Sequence, residues 1–206
     1  MKDTYKDFKS LSAVEKENID FQLFVNKTNS RIAIVAPHGG GIEPGTSEIT
    51  KSIAGEDLTC YSFEGIKNKE NKKYLHITST NFDEPKCIEI CKISDNVVAV
   101  HGAEENGETV YVGGRDEDLK HRIIEKLKDA GFNAQEDKTN HSGQDNGNIC
   151  NKGVKKEGLQ LEISNGLRKK MFRGLKRNDR KHTTEVFDNF VKSIRFVLCE
   201  DNVKEN

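Results

Sequence analysis

Two apolar runs set the tightest limits on how this chain can fold. Arg31–Ala36 (RIAIVA) stops at Pro37-His38 and three glycines, and Asn96–Val100 (NVVAV) stops at His101-Gly102. Neither run alternates in polarity, so both read as strands buried on both faces of a sheet that helices cover on its two sides. In such sheets ligands bind beyond the carboxyl ends of strands, where both histidines fall.

The rest of the chain supplies the alternation this architecture needs. Leu58–Phe63, Tyr74–Thr78, Thr109–Val112, Phe132–Gln135 and Gly158–Ser164 read as further strands. A helix is expected after Pro44-Gly45-Thr46, where Ile49 and Ile53 share a face, and another from Asp83-Glu84-Pro85 to Ile93. Asp116–Ala130 carries Leu119, Ile123, Ile124 and Leu127 on one face and stops at Gly131, and Thr183–Leu198 is a last amphipathic helix. The pattern over residues 1–206 predicts one three-layer α/β/α domain with a mixed, largely parallel sheet. Glu136–Asn148, polar and without period, reads as a surface loop of the kind that carries function.

Charge narrows the partners. With 33 Lys+Arg against 34 Asp+Glu, no whole-molecule field draws the chain to nucleic acid or to an anionic membrane. Locally the balance breaks, because eight of the fourteen residues 168–181 are Lys or Arg. That run could attract a polyanion, form a solvated helical face or make a nucleic-acid patch. With Phe172 as its one aromatic, it lacks the interleaving that stacks bases. No apolar run approaches the roughly 20 residues that span a bilayer, and the start has no signal-peptide core, so synthesis in the cytosol is expected. Five cysteines with no CxxC pair read as free thiols.

The candidate chemistry gathers at the strand ends. His38-Gly-Gly-Gly-Ile-Glu43 offers an imidazole and a carboxylate from one glycine-rich loop that can turn both toward one ion, with His101 as a third ligand. Two histidines and a carboxylate leave a coordination position open, which is the ligand set of hydrolytic zinc sites; a polar turn residue is the plain alternative for His38. Glu162 sits inside the apolar run LQLEIS, where an unpaired charge is costly. It reads as a general base acting on water at such a site, or as a salt-bridged or outward-facing residue.

The segments PHGGGIEPGTSEI (Pro37–Ile49), LHITSTNFDEP (Leu75–Pro85), VAVHG (Val98–Gly102), VGGRD (Val112–Asp116), NICNKG (Asn148–Gly153) and LQLEISNGLR (Leu159–Arg168) together resemble the poly-γ-glutamate hydrolases of bacteriophages and their prophage relatives. The resemblance implies a zinc carboxypeptidase-like fold, a single Zn2+ ion held by His38, Glu43 and His101, and Glu162 as the catalytic glutamate. It implies poly-γ-glutamate as substrate, degraded as a host capsule after lysis. Around this set, Arg115 is expected to stabilise the oxyanion or hold a substrate carboxylate, unless it pairs on the surface with Asp116 or Glu117. Asn148 and Asn151 are candidates for binding substrate or shaping a turn, and Arg168 for recognising carboxylates. His76 stays open between a partner of the site and a core histidine, His141 belongs to a loop that could close on substrate, and Cys150, not needed as a nucleophile, could line the site. The expected protein is a monomer that cuts the polymer internally. A carboxypeptidase or N-acyl-amino-acid deacylase on the same scaffold is the alternative.

Overall fold

The computed structural model describes residues 3–139 and 142–204. Its strands are β1 (Phe21–Asn26), β2 (Ile32–Gly40), β3 (Thr59–Gly65), β4 (Asn96–Gly102), β5 (Thr109–Gly114), β6 (Asn133–Glu136) and β7 (Leu159–Ile163). They form one sheet in the order β1-β3-β2-β4-β7-β5-β6. The four central strands β3, β2, β4 and β7 run parallel, β1 and β5 join them antiparallel, and β6 follows β5.

The helices are α1 (Phe8–Ser12), α2 (Thr46–Ala54), α3 (Asn71–Leu75), α4 (Pro85–Ile93), α5 (Glu117–Asp129), α6 (Asn165–Met171) and α7 (Glu185–Lys204). Successive strand residues point to opposite faces, so the sheet has two cores. Ile34, Val98, Val100 and Leu161 pack with Ile53 of α2, Ile123 of α5 and Ile194 of α7. Val35, Tyr61, Val97 and Ala99 pack on the other face with Leu11 of α1, Leu75 of α3 and Ile90 of α4. Each fully buried valine, leucine or isoleucine among them contributes about 1.5–3 kcal/mol. The three-layer domain and the mixed sheet match the sequence reading.

Three differences bear on the site. β2 does not stop at Ala36 but continues through His38 to Gly40, because a register shift between Ala36 and Gly39 lets Pro37, which has no N–H, stand outside the ladder to β3. Gly40 then turns at φ 64°, with Gly65 O 2.5 Å from where a Cβ would lie. Tyr74–Thr78, expected as a strand, is the end of α3 followed by extended backbone at His76. β1 and α6 had not been expected at all. β3 lies on one side of β2 and β4 on the other, and the β2–β4 ladder covers only Ile32–Val35. The carboxyl ends of these two strands therefore part into a crevice at a topological switch point.

Candidate metal centre

His38 comes into this crevice from β2, Glu43 from the turn after it, and His101 from β4. His38 is 2% exposed, Glu43 7% and His101 2%. His38 Nδ1 lies 3.1 Å from His101 Nδ1 and 3.3 Å from Glu43 Oε1, while His101 Nδ1 lies 3.7 Å from Glu43 Oε2. Tetrahedral zinc with bonds of about 2.0–2.1 Å holds its ligand atoms about 3.3 Å apart, so these separations fit the ion. The hydrogen bonds agree. His38 Nε2 stands 2.8 Å from Ile77 O, and a carbonyl only accepts, so Nε2 is the donor there and Nδ1 is the nitrogen turned toward Glu43 and His101. His101 Nε2 is held by Ser79 Oγ at 3.2 Å, which again turns Nδ1 inward. Burial opposes the charge of Glu43, but the His38 and His101 imidazoles outweigh it and hold the carboxyl well below the usual carboxylate range.

Glu162 is the register partner of His101 across the β4–β7 ladder and of Tyr111 across β5–β7, so all three project from the same face of the sheet. Gln160 Nε2 donates to Glu162 Oε1 at 3.2 Å, and Asn148 Nδ2 donates to Gln160 Oε1 at 2.9 Å. Burial, with the nearby Glu43 carboxylate, raises the Glu162 carboxyl well above its ordinary value. A cleft of about 670 Å³ opens over these groups, lined among others by His38, Glu43, His101, Tyr111, Asn148 and Glu162.

Residues 5–193 match the model of the poly-gamma-glutamate hydrolase family. The chain belongs to that family. It is similar to UPF0714 protein YndL of Bacillus subtilis (strain 168), 36% identical over 201 residues that cover 93% of this chain and 79% of YndL. Its fold matches that of a bacteriophage poly-gamma-glutamate hydrolase with a TM-score of 0.94 at 28% identity, over 97% of this chain and 98% of the other. It also matches a zinc-free form of YndL with a TM-score of 0.92 at 33% identity, over 97% and 99%.

In this member of the poly-gamma-glutamate hydrolase family the remaining expected residues fall into different places. Asn148 lines the cleft and steadies Glu162 through Gln160. Asn151 is 3% exposed and spends its amide on Gly143 O, Asp145 O and Gly158 N, so it shapes the loop, and it is not among the residues lining the cleft. Arg115 bonds Asn146 and is not among the residues lining the cleft. Arg168 is buried beneath the strand ends and also lies outside the lining. No residue of the basic run 168–181 lines the cleft; Arg180 pairs with Glu48 and Arg173 with Asp179. His141 lies outside the described residues. Cys150 is buried in the core under α4 and is not among the residues lining the cleft.

His76, left open by the sequence, stands in a second histidine assembly beside this one. His76 stacks on His38 at 4.1 Å between ring centroids and points Nε2 toward Glu43 Oε1 at 3.9 Å. Its Nδ1 is held at 2.7 Å by Asp3, which also accepts from the backbone and hydroxyl of Thr78. Burial and the neighbouring His38 push the His76 imidazole down to about 4, so it is neutral near pH 7. His38, Glu43 and His76 have ligating atoms within 4.8 Å of one another, a looser alternative grouping to that with His101.

Proposed function

We propose that this protein hydrolyses the γ-amide bonds of poly-γ-glutamate internally, at a zinc ion held by His38, Glu43 and His101. The observation that carries the reading is the convergence of two inward-turned Nδ1 atoms and one carboxylate beside Glu162 at the mouth of the crevice. When bound, zinc supplies Lewis-acid chemistry, polarising the amide carbonyl and acidifying water. Glu162 takes the proton from the attacking water and returns it to the departing amine. Gln160 and Asn148 keep the carboxylate aimed. In the cell this activity would meet its polymer outside, as a host capsule opened after lysis.

A γ-linked glutamate chain carries one free carboxylate per residue, yet the cleft is acidic: Asp3, Glu104, Glu105, Asp137 and Asp145 line it besides Glu43 and Glu162. Among the described lining residues Lys72 is the one lysine or arginine, and its Nζ lies 2.5 Å from Glu104 Oε1. Lys72 is therefore the cation placed to receive a substrate carboxylate, exchanging Glu104 for it. Lys72→Ala is expected to raise KM roughly tenfold, the worth of one charged hydrogen bond, with kcat within about twofold. An unchanged KM in steady-state assays would remove Lys72 from substrate binding.

The reading as a whole is tested by incubating the purified protein with high-molecular-weight poly-γ-glutamate and sizing the products. Internal cutting collapses the chain length early. Slow release of free glutamate from a polymer of nearly constant length would instead establish a trimming carboxypeptidase.

A further inference from the structure

Arg168, on α6, is 4% exposed and, among the described residues, forms no ion pair. Its fork is spent on backbone. Nε donates to Ile163 O at 3.0 Å, Nη1 to Pro44 O at 2.6 Å and Nη2 to Ala103 O at 2.7 Å. Those carbonyls belong to the residue after Glu162, the residue after Glu43 and the second residue after His101. We propose that Arg168 is a positioning residue whose guanidinium clamps the three backbone segments carrying Glu43, His101 and Glu162 into one constellation. The inference rests on the zinc-hydrolase reading of those three residues and assigns the group that holds them together.

The chemistry of the fork explains why an arginine stands here. The three carbonyls come from the turn after β2, the residue after β4 and the last residue of β7, and a planar group with five N–H donors can satisfy all three at once. A lysine ammonium is a point charge on a flexible stem and reaches fewer in fixed directions. Gly102 gives the guanidinium its seat: a Cβ there would lie 2.6 Å from Arg168 Cζ. The same glycine donates its N–H to Glu43 Oε2 at 2.8 Å. The ligand-bearing turn, the end of β4 and the end of β7 are thus tied to one another through Arg168 and Gly102, from behind the cleft. Displacements of about 1 Å at such a site cost about a hundredfold in rate, so a clamp with no contact to substrate still governs turnover.

The test compares wild type, Arg168→Lys and Arg168→Met for zinc affinity by competition with a chromophoric chelator, for kcat and KM on the polymer, and for the melting temperature of the zinc-free protein. Both affinity and kcat are expected to fall in the order wild type, lysine, methionine, with zinc affinity down roughly 10–100-fold in Arg168→Lys and KM within about twofold. Gly102→Ala, which keeps the arginine but takes its seat, is expected to show the same pattern and decides the matter if the Arg168 variants do not fold. Lower melting temperatures with unchanged zinc affinity and kcat would overturn the clamp, as would a raised KM at constant kcat. The wild-type titration in the same series tests the zinc reading on its own, so the two cannot fail unnoticed together.

Discussion

Glu162→Gln is expected to retain zinc in full and to lose about a hundredfold to ten-thousandfold of the hydrolytic rate, the range that a positioned general base contributes. Glutamine preserves the volume of the side chain and a carbonyl oxygen to accept from Gln160 Nε2, now 3.2 Å from Glu162 Oε1, so the floor of the cleft keeps its shape. What it removes is the ability to take a proton. Because Glu162 stands beside His101 in register and not among the converging Nδ1 and carboxylate atoms, its loss leaves the ion's ligands intact. Metal analysis and turnover on the same preparation read the two effects apart. Zinc lost from Glu162→Gln would move Glu162 into the ligand set, and a normal rate would end its role as base.

Of the four residues on which the proposed site rests, His38, His101 and Glu162 stand out in the sequence for a simple reason, and Glu43 follows from the glycine-rich turn after His38. An apolar strand that ends in His-Gly, or that holds one glutamate, is a local break in pattern, and a break of that kind is visible in one dimension. The strand pairing that makes His101 and Glu162 neighbours was not, since nothing in either segment states its partner. His76 stays open in the sequence for a related reason. YLHIT has strand-like composition, but α3 ends at Leu75, and the histidine takes its orientation from Asp3, 73 residues earlier in the chain. The sequence offers Arg168 as a candidate for recognising carboxylates and Arg180 as one charge in a run of lysines and arginines. Composition describes the run, whereas the fold buries these two against carbonyls and Glu48 and leaves their neighbours in water. Asn151 shows the same limit at smaller scale: its amide closes a loop whose path no periodicity reveals.

His101→Ala is expected to abolish zinc binding and activity together, while His76→Ala keeps the ion and loses only part of the rate. Two imidazoles can compete for the third position around His38 and Glu43, and geometry separates them. His101 Nδ1 is 3.1 Å from His38 Nδ1 and within 3.7 Å of the Glu43 carboxylate, with its other nitrogen engaged by Ser79; His76 Nε2 approaches Glu43 only to 3.9 Å. Removing a ligand costs more than the roughly 10–100-fold that loss of an outer hydrogen bond costs, so no zinc should remain in His101→Ala after dialysis. Stability reports the same event without substrate. Free zinc at a thousand times its Kd stabilises a folded protein by about 4 kcal/mol, which for a chain of this size raises Tm by roughly 8–16 °C. Wild type and His76→Ala should show that rise and His101→Ala should show none. The opposite pattern, with the rise lost in His76→Ala and kept in His101→Ala, would transfer the ion to the grouping of His38, Glu43 and His76, and His101 would then be a buried partner of His38 alone.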